Sequence, residues 1–182
     1  MISVEFHRLV GKLKTTPRTG WVRRGIPNPE SIADHSFRAE YLAMDFARAV
    51  GTDPLPCLEI ITNHDLPECV ANDISPYCGV SAAEKSKREL EAAKYLAELS
   101  GNQKIVSLFL EYEDKETLRS RLGNDADQGE PLLQAIEYAE LYPDKKDSME
   151  DFWPYAYDKL LTDVGFRYFD KLDSIWRALK PG

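Results

Sequence analysis

Apolar residues recur three and four positions apart along most of this chain, the period of an amphipathic helix. Phe6, Leu9, Val10 and Leu13 predict a first helix from Ser3 to Lys14, with His7 off the stripe and exposed. From Thr15 to Pro29 the period breaks: Pro17, Gly20, Gly25, Pro27 and Pro29 mark a loop of about 15 residues. Ser31 and Asp34 have the spacing of a capping box, so a second helix should start there and run to about Val50, with Gly51 just past its end. Asp53 and Pro54 open a third as N-cap and first-turn proline, and it should close near Pro67. Pro76 should end any helical character after Asp73. Ser81 and Glu84 form a second capping-box pattern ahead of Leu90, Ala93, Leu96 and Ala97, a helix reaching Gly101. Its charges Lys85, Lys87, Arg88, Glu89 and Glu91 alternate in sign and read as a solvated face. Ile105, Leu108, Phe109 and Tyr112 predict the next helix, ending by Gly123.

Leu132, Leu133, Ile136, Ala139 and Leu141 continue the helical period. Pro131, four residues after Asp127, should kink the backbone there or delay the start of that helix. Ser148 begins a segment rich in Phe152, Trp153, Tyr155 and Tyr157, and a closing helix from Val164 to Leu179 carries Phe166, Phe169, Leu172, Ile175 and Trp176. Such aromatic stripes read as core or subunit interface. No alternating strand pattern of convincing length appears, and no internal repeat. The pattern predicts an all-α fold.

Composition adds limits. A chain of 182 residues, 43% hydrophobic and 30% charged, is long enough for one sizeable core and short for two, so one domain over 1–182 is expected. A net charge of −8 without a basic run disfavours a surface that tracks polymeric nucleic acid. Cys57, Cys69 and Cys78 have neither disulfide-framework nor C-x-x-C spacing, and a reducing cytoplasm fits. No signal pattern and no apolar run near 18 residues is present, so no membrane association is expected.

Three groups able to bind a metal or move a proton fall within five residues at His64, Asp65 and Glu68. On a continuous helix Glu68 would sit one turn beyond His64, on the same side. An imidazole beside a carboxylate suits a divalent transition metal, and a second carboxylate one turn on could stay off it and handle protons. His35 falls in line with the apolar positions Ala39, Leu42 and Phe46, so it too should point inward and need a partner. The Thr15–Pro29 loop carries Arg18, Trp21, Arg23 and Arg24 in an otherwise acidic protein.

These residues together resemble the HD superfamily of metal-dependent phosphohydrolases, and within it the 5′-deoxynucleotidase branch. The likeness rests on Arg18 in Pro17-Arg18-Thr19-Gly20-Trp21, on Pro29 to Ser36, on His64-Asp65-Leu66-Pro67-Glu68, on Asp73-Ile74, and on Ala126-Asp127-Gln128 leading to Gln134-Ala135-Ile136-Glu137-Tyr138. It spans about residues 5–170. Asn72 stands where the family commonly has glycine, and Gly129 and Pro131 interrupt what is normally a smooth helix.

The resemblance implies a single HD-type helical bundle with a catalytic core at about 5–145 and C-terminal aromatic helices at about 148–180. It implies one divalent ion on His35, His64, Asp65 and Asp127, with Asp125 as the alternative should Pro131 displace the last. Nitrogen and oxygen donors without thiolate suit Mn, Co, Ni, Fe or Zn rather than Ca. Further roles implied are Glu68 as general acid/base, Asp73 positioning the water or the deoxyribose hydroxyl, Arg18 clamping phosphate, and Trp21 rejecting a ribose 2′-OH. The expected activity is hydrolysis of 2′-deoxynucleoside 5′-monophosphates by a metal-activated water, in a homodimer. Two alternatives stay open. An HD phosphodiesterase or nucleoside tri- or polyphosphate hydrolase could use Arg23 and Arg24 for extra phosphates. A non-catalytic, metal-stabilised interaction module would need neither Glu68 nor Arg18.

Overall fold

The computed structural model describes residues 2–74 and 78–179. Among them are ten α-helices and no strand, the only ladder contact being an isolated bridge between Pro17 and Ser31. The expected stop at Pro76 lies outside the described residues.

The longest helix, α8 (Leu118–Leu141), packs against most of the other helices. Around it lie α3 (Ile32–Ala49), α4 (Pro54–His64), α7 (Lys104–Asp114), α9 (Phe152–Tyr157) and α10 (Asp163–Ala178), and α10 also packs against α3. Further out, α6 (Ala82–Ser100) covers α7 and the short α5 (Glu68–Ala71), while α1 (Val4–Val10) continues into a 3₁₀ turn over Gly11–Lys14. Ala39, Ala43, Ile61, Leu122 and Ala126 fill the seam between α3, α4 and the first half of α8. Small residues there let the helix backbones approach closely. Along the second half of α8, Trp153 and Trp176 stack at 4.2 Å and bury against Leu132 and Ile136. Of the C-terminal aromatics, Trp153 and Trp176 are core, Phe152, Phe166, Tyr168 and Phe169 are half-buried, and Tyr155 and Tyr157 are exposed.

Local chemistry accounts for most of the boundaries. Ser31 and Asp34 form the reciprocal capping box of α3, Val50 caps its end, and Gly51 follows at φ 76°. Asp53 caps α4 with Pro54 in its first turn. Ser81 accepts from Glu84 N–H, but the Glu84 carboxylate turns to Arg88, so α6 has a cap without the full box. Asn72, the C-cap of α5, takes φ 66° and ψ 163°, a backbone conformation that residues other than glycine rarely adopt.

Four expectations need correction. The loop from Thr15 to Pro29 contains a helical turn, α2 (Thr19–Arg23). Helix α4 ends at His64 rather than near Pro67, because Pro67 has no N–H to continue it and instead precedes α5. Helix α7 ends at Asp114, where Lys115 adopts φ 53°, and Gly123 sits inside α8. Pro131 neither delays nor ends α8, whose other contacts outweigh the one hydrogen bond that proline removes. Gly129 has a packing role: a Cβ there would come within 3.1 Å of the Tyr168 ring on α10.

Candidate metal centre and its cavity

Three elements bring the inward residues together. His35 projects from the first turn of α3, His64 ends α4 with Asp65 as its cap, and Asp127 projects from the middle of α8. Nε2 of His35 lies 3.1 Å from Asp127 Oδ1 and 3.6 Å from Asp65 Oδ2. His64 Nε2 lies 3.2 Å from Asp65 Oδ2 and 3.5 Å from Asp127 Oδ1. Both imidazoles are buried, and donor atoms of His35, His64 and Asp127 all lie within 4.8 Å of one another.

These side chains fit a divalent transition metal. Bonds of about 2.0–2.2 Å around one ion would separate neighbouring donor atoms by about 3.0–3.5 Å, close to the spacings found. Each ring is also turned for ligation. His64 Nδ1 donates to the Ile61 carbonyl at 2.5 Å, while its buried Nε2 has no hydrogen-bond partner. His35 Nδ1 donates to Glu130 at 2.5 Å. Asp127 Oδ2 accepts from the Tyr112 hydroxyl at 2.7 Å and from Gln128 at 2.9 Å, which leaves Oδ1 toward the histidines.

Electrostatics agree. Burial and Arg18 push the His35 imidazole down, yet Glu130 and Asp127 hold it at about 9. His64 is also raised, by Asp65 and Asp127, against its own burial. Despite burial, the Asp127 carboxyl is held well below its ordinary range by the two histidines, and Asp65 by His64 and Arg18. The centre thus favours two carboxylates facing positive charge. A divalent ion would meet that demand and displace the imidazole protons.

Asp125, the alternative ligand, is not part of this group. Two residues along a helix is a rotation of about 200°, and its carboxylate points to the start of α10. There it accepts from Leu161 N–H at 2.9 Å, Thr162 N–H at 2.8 Å and the Thr162 hydroxyl at 2.6 Å.

A cavity of about 480 Å³ opens beside the centre, in the size range of small-molecule sites. Arg18, Glu68, Asp73 and Trp21 all border it. Nη1 of Arg18 donates to Asp65 Oδ2 at 3.0 Å, which puts the guanidinium beside a proposed ligand. Glu68 reaches the same space, though from the start of α5 and not from a continuation of α4. It is 4% exposed and its Oε2 has no partner. Burial, with Asp65 and Asp73 nearby, pushes the Glu68 carboxyl well above its ordinary value. Asp73 Oδ2 accepts from Thr19 N–H at 2.6 Å, so this aspartate also ties down the segment that carries Arg18. Trp21 is 2% exposed, packs against Tyr138 and Phe152, and donates its indole N–H to Glu30 at 2.8 Å. It can offer a cavity ligand only its ring.

Several wall residues were not foreseen. Lys85 and Glu89 are no solvated pair: Glu89 is buried and holds Lys85 at 3.2 Å on the cavity wall. Tyr112, read only as an apolar-stripe residue, sends its hydroxyl to Asp127. Phe152, Tyr155 and Lys159 extend the wall into the C-terminal segment, beyond the expected boundary near residue 145. Arg24 is engaged by Asp151 at 2.6 Å and by the Ser148 carbonyl at 2.8 Å, while Arg23 is exposed and outside the cavity lining.

A family model described as an HD domain matches residues 10–161. The 5′-deoxynucleotidase HDDC2 of Danio rerio is 38% identical over 141 residues, covering 76% of this chain and 70% of that protein. The 5′-deoxynucleotidase hdd1 of Schizosaccharomyces pombe is 37% identical over 157 residues, covering 82% of this chain and 79% of that one. Among solved structures, a conserved hypothetical protein from Pyrococcus furiosus superposes with a TM-score of 0.77 at 28% identity, over 96% of this chain and 99% of that one. With its helical bundle, its His…His-Asp…Asp order and a match over most of its length, this chain belongs to the HD-domain family.

Proposed function

We propose that this protein is a divalent-metal-dependent phosphomonoesterase that hydrolyses 2′-deoxynucleoside 5′-monophosphates to deoxynucleoside and phosphate. One observation carries the reading: two buried histidines meet two half-buried aspartates, Asp65 and Asp127, which border a cavity together with a guanidinium and an unpartnered buried carboxylate. Relatives named 5′-deoxynucleotidases give the substrate class. His35, His64, Asp65 and Asp127 would hold the ion (Mn, Co, Ni, Fe or Zn), which supplies Lewis acidity to acidify a water and to offset charge on a phosphate oxygen.

The remaining steps belong to the chain. Arg18 orients the phosphate through paired N–H donors, a geometry that lysine cannot reproduce. Glu68 takes the proton of the attacking water as its oxygen bonds to phosphorus. It returns that proton to the 5′-oxygen as the P–O5′ bond breaks, so the deoxynucleoside leaves as a neutral alcohol. Glu68 borders the cavity with no partner on Oε2, so that oxygen is open to exchange the proton with a ligand there. Asp73 positions the water or the sugar hydroxyl, and the Trp21 ring forms the wall against which a ribose 2′-OH is rejected.

The tri- or polyphosphate reading relied on Arg23 and Arg24, and Arg24 is committed to Asp151 and Ser148. A purely structural metal site has no need of Glu68. We further propose a homodimer in the cytoplasm, a reducing compartment consistent with three cysteines that lack disulfide-framework and C-x-x-C spacing. Among the described residues no helix is long and apolar enough to cross a membrane.

Phosphate release is the test, measured on each 2′-deoxynucleoside 5′-monophosphate and its ribose counterpart after chelation and re-addition of each ion. Deoxynucleotide-selective release restored by at least one ion is expected. Release from triphosphates or diesters alone would move the protein to another reaction, and no release from any of them would make it a binding module.

A further inference from the structure

Two helices face each other across the metal centre with complementary side chains. On α3, His35 and Arg38 are three residues apart; on α8, Asp127, Glu130, Gln134 and Glu137 follow at spacings of three, four and three. Each set therefore lies along one face of its helix. Glu130 is 0% exposed. Its Oε2 accepts from His35 Nδ1 at 2.5 Å, and its Oε1 accepts from Arg38 Nε at 2.8 Å. Arg38 is itself fixed from the outer side: Nη1 reaches both oxygens of Glu137 at 2.8 and 2.7 Å, and Nη2 reaches Gln134 at 2.6 Å.

The two histidines are held by different means. His64 gives its Nδ1 proton to a backbone carbonyl, which no substitution removes. His35 depends on a side chain that is charged, buried and shared with an arginine. A carboxylate on Nδ1–H fixes the tautomer that leaves Nε2 free to ligate, and it raises the basicity of that nitrogen. A buried carboxylate is costly unless paired, and the guanidinium supplies the pair.

We propose that Glu130 is a positioning residue for His35 as a metal ligand, and that Arg38, clamped by Gln134 and Glu137, holds Glu130 in that task. Metal affinity is then set partly from the α3–α8 seam, by residues that do not touch the ion. This rests on the proposed metal dependence but needs no assumption about substrate.

The test is calorimetric titration of Mn²⁺ and Co²⁺ into chelator-treated full-length protein, with Tm recorded for each metal-free variant. Glu130→Gln keeps the shape and loses the charge; it should weaken metal binding by roughly 10–100-fold. Arg38→Met should weaken it in the same direction. Leu172→Ala, in the core cluster around Trp153 and Trp176, should lower Tm and leave the metal Kd unchanged. If Glu130→Gln lowers Tm like that control while binding metal as the wild type does, Glu130 is only a tie between helices and the proposal falls. Should Glu130→Gln fail to fold, ¹⁵N spectra of the Zn²⁺-loaded wild type decide, since the chain has three histidines. His35 coordinating through Nε2 with its proton on Nδ1 is expected; coordination through Nδ1 overturns the proposal. A wild type that binds none of these ions overturns the proposed metal dependence as well, which is a different outcome from a wild type and a Glu130→Gln that bind alike.

Discussion

Glu68 separates proton transfer from metal holding at the scale of a single side chain. It is buried, lacks a partner on Oε2, and borders the same cavity as Asp65 without joining the four donors. Glu68→Gln preserves size and removes the ability to take and return a proton. Metal content, read by elemental analysis, should stay at the wild-type level while kcat falls by roughly 10²–10⁴-fold. Loss of the metal would make Glu68 a ligand, and unchanged turnover would put the proton route elsewhere. Residue types and spacing drew attention to His35, His64, Asp65 and Glu68, and the family resemblance added Asp127. What they could not give was the means of delivery. Glu68 reaches the cavity because the chain turns at Asp65–Pro67 and starts a new helix, not because one helix carries it round. Trp21 was legible as a residue of the right loop, but its indole N–H belongs to Glu30.

At the scale of elements, Asp125 and Asp127 show how a helix assigns two like residues to unlike work. Asp127 faces α3 and α4; Asp125 faces the start of α10, where its carboxylate satisfies two backbone N–H groups and a hydroxyl. Gly165 lies so close to that carboxylate that a Cβ would overlap it. Asp125→Ala leaves these donors without a partner in a buried position, a loss of about 1–3 kcal/mol or more. Its expected signature is a lower Tm with metal Kd unchanged, whereas Asp127→Ala should abolish metal binding. An Asp125→Ala protein that stays stable but loses metal would reverse the assignment. From sequence the two could not be separated, because Pro131 implied a break in the helix that would reset its phase. The break is absent because α8 packs against α3, α4, α7, α9 and α10, and contacts made by distant segments are invisible to local pattern. Capping residues, which act within four positions, were read correctly at Ser31 and Asp53.

At the scale of the molecule, the centre joins parts of the chain that local forces keep separate. Its ligands come from α3, the end of α4 and the middle of α8, and the cavity is closed by α2 and by the segment around α9. The C-terminal wall was not legible because its aromatic residues carry the same helical period whether they face core, partner or ligand. Convergence of this kind makes a bound ion a cross-link between elements far apart in sequence. An ion that binds the folded chain and not the unfolded one adds stability that grows with its free concentration, by about 2.7 kcal/mol at a hundredfold excess over Kd. Chelation should therefore lower Tm, and titrating a competent ion back should raise it continuously rather than in one step at stoichiometry. His64→Ala removes a donor whose Nε2 has no other partner, and it should flatten that dependence while leaving the metal-free Tm within a few degrees of the wild type. A Tm that ignores chelation in the wild type, or one that still climbs with added ion in His64→Ala, would place the ion outside this cluster.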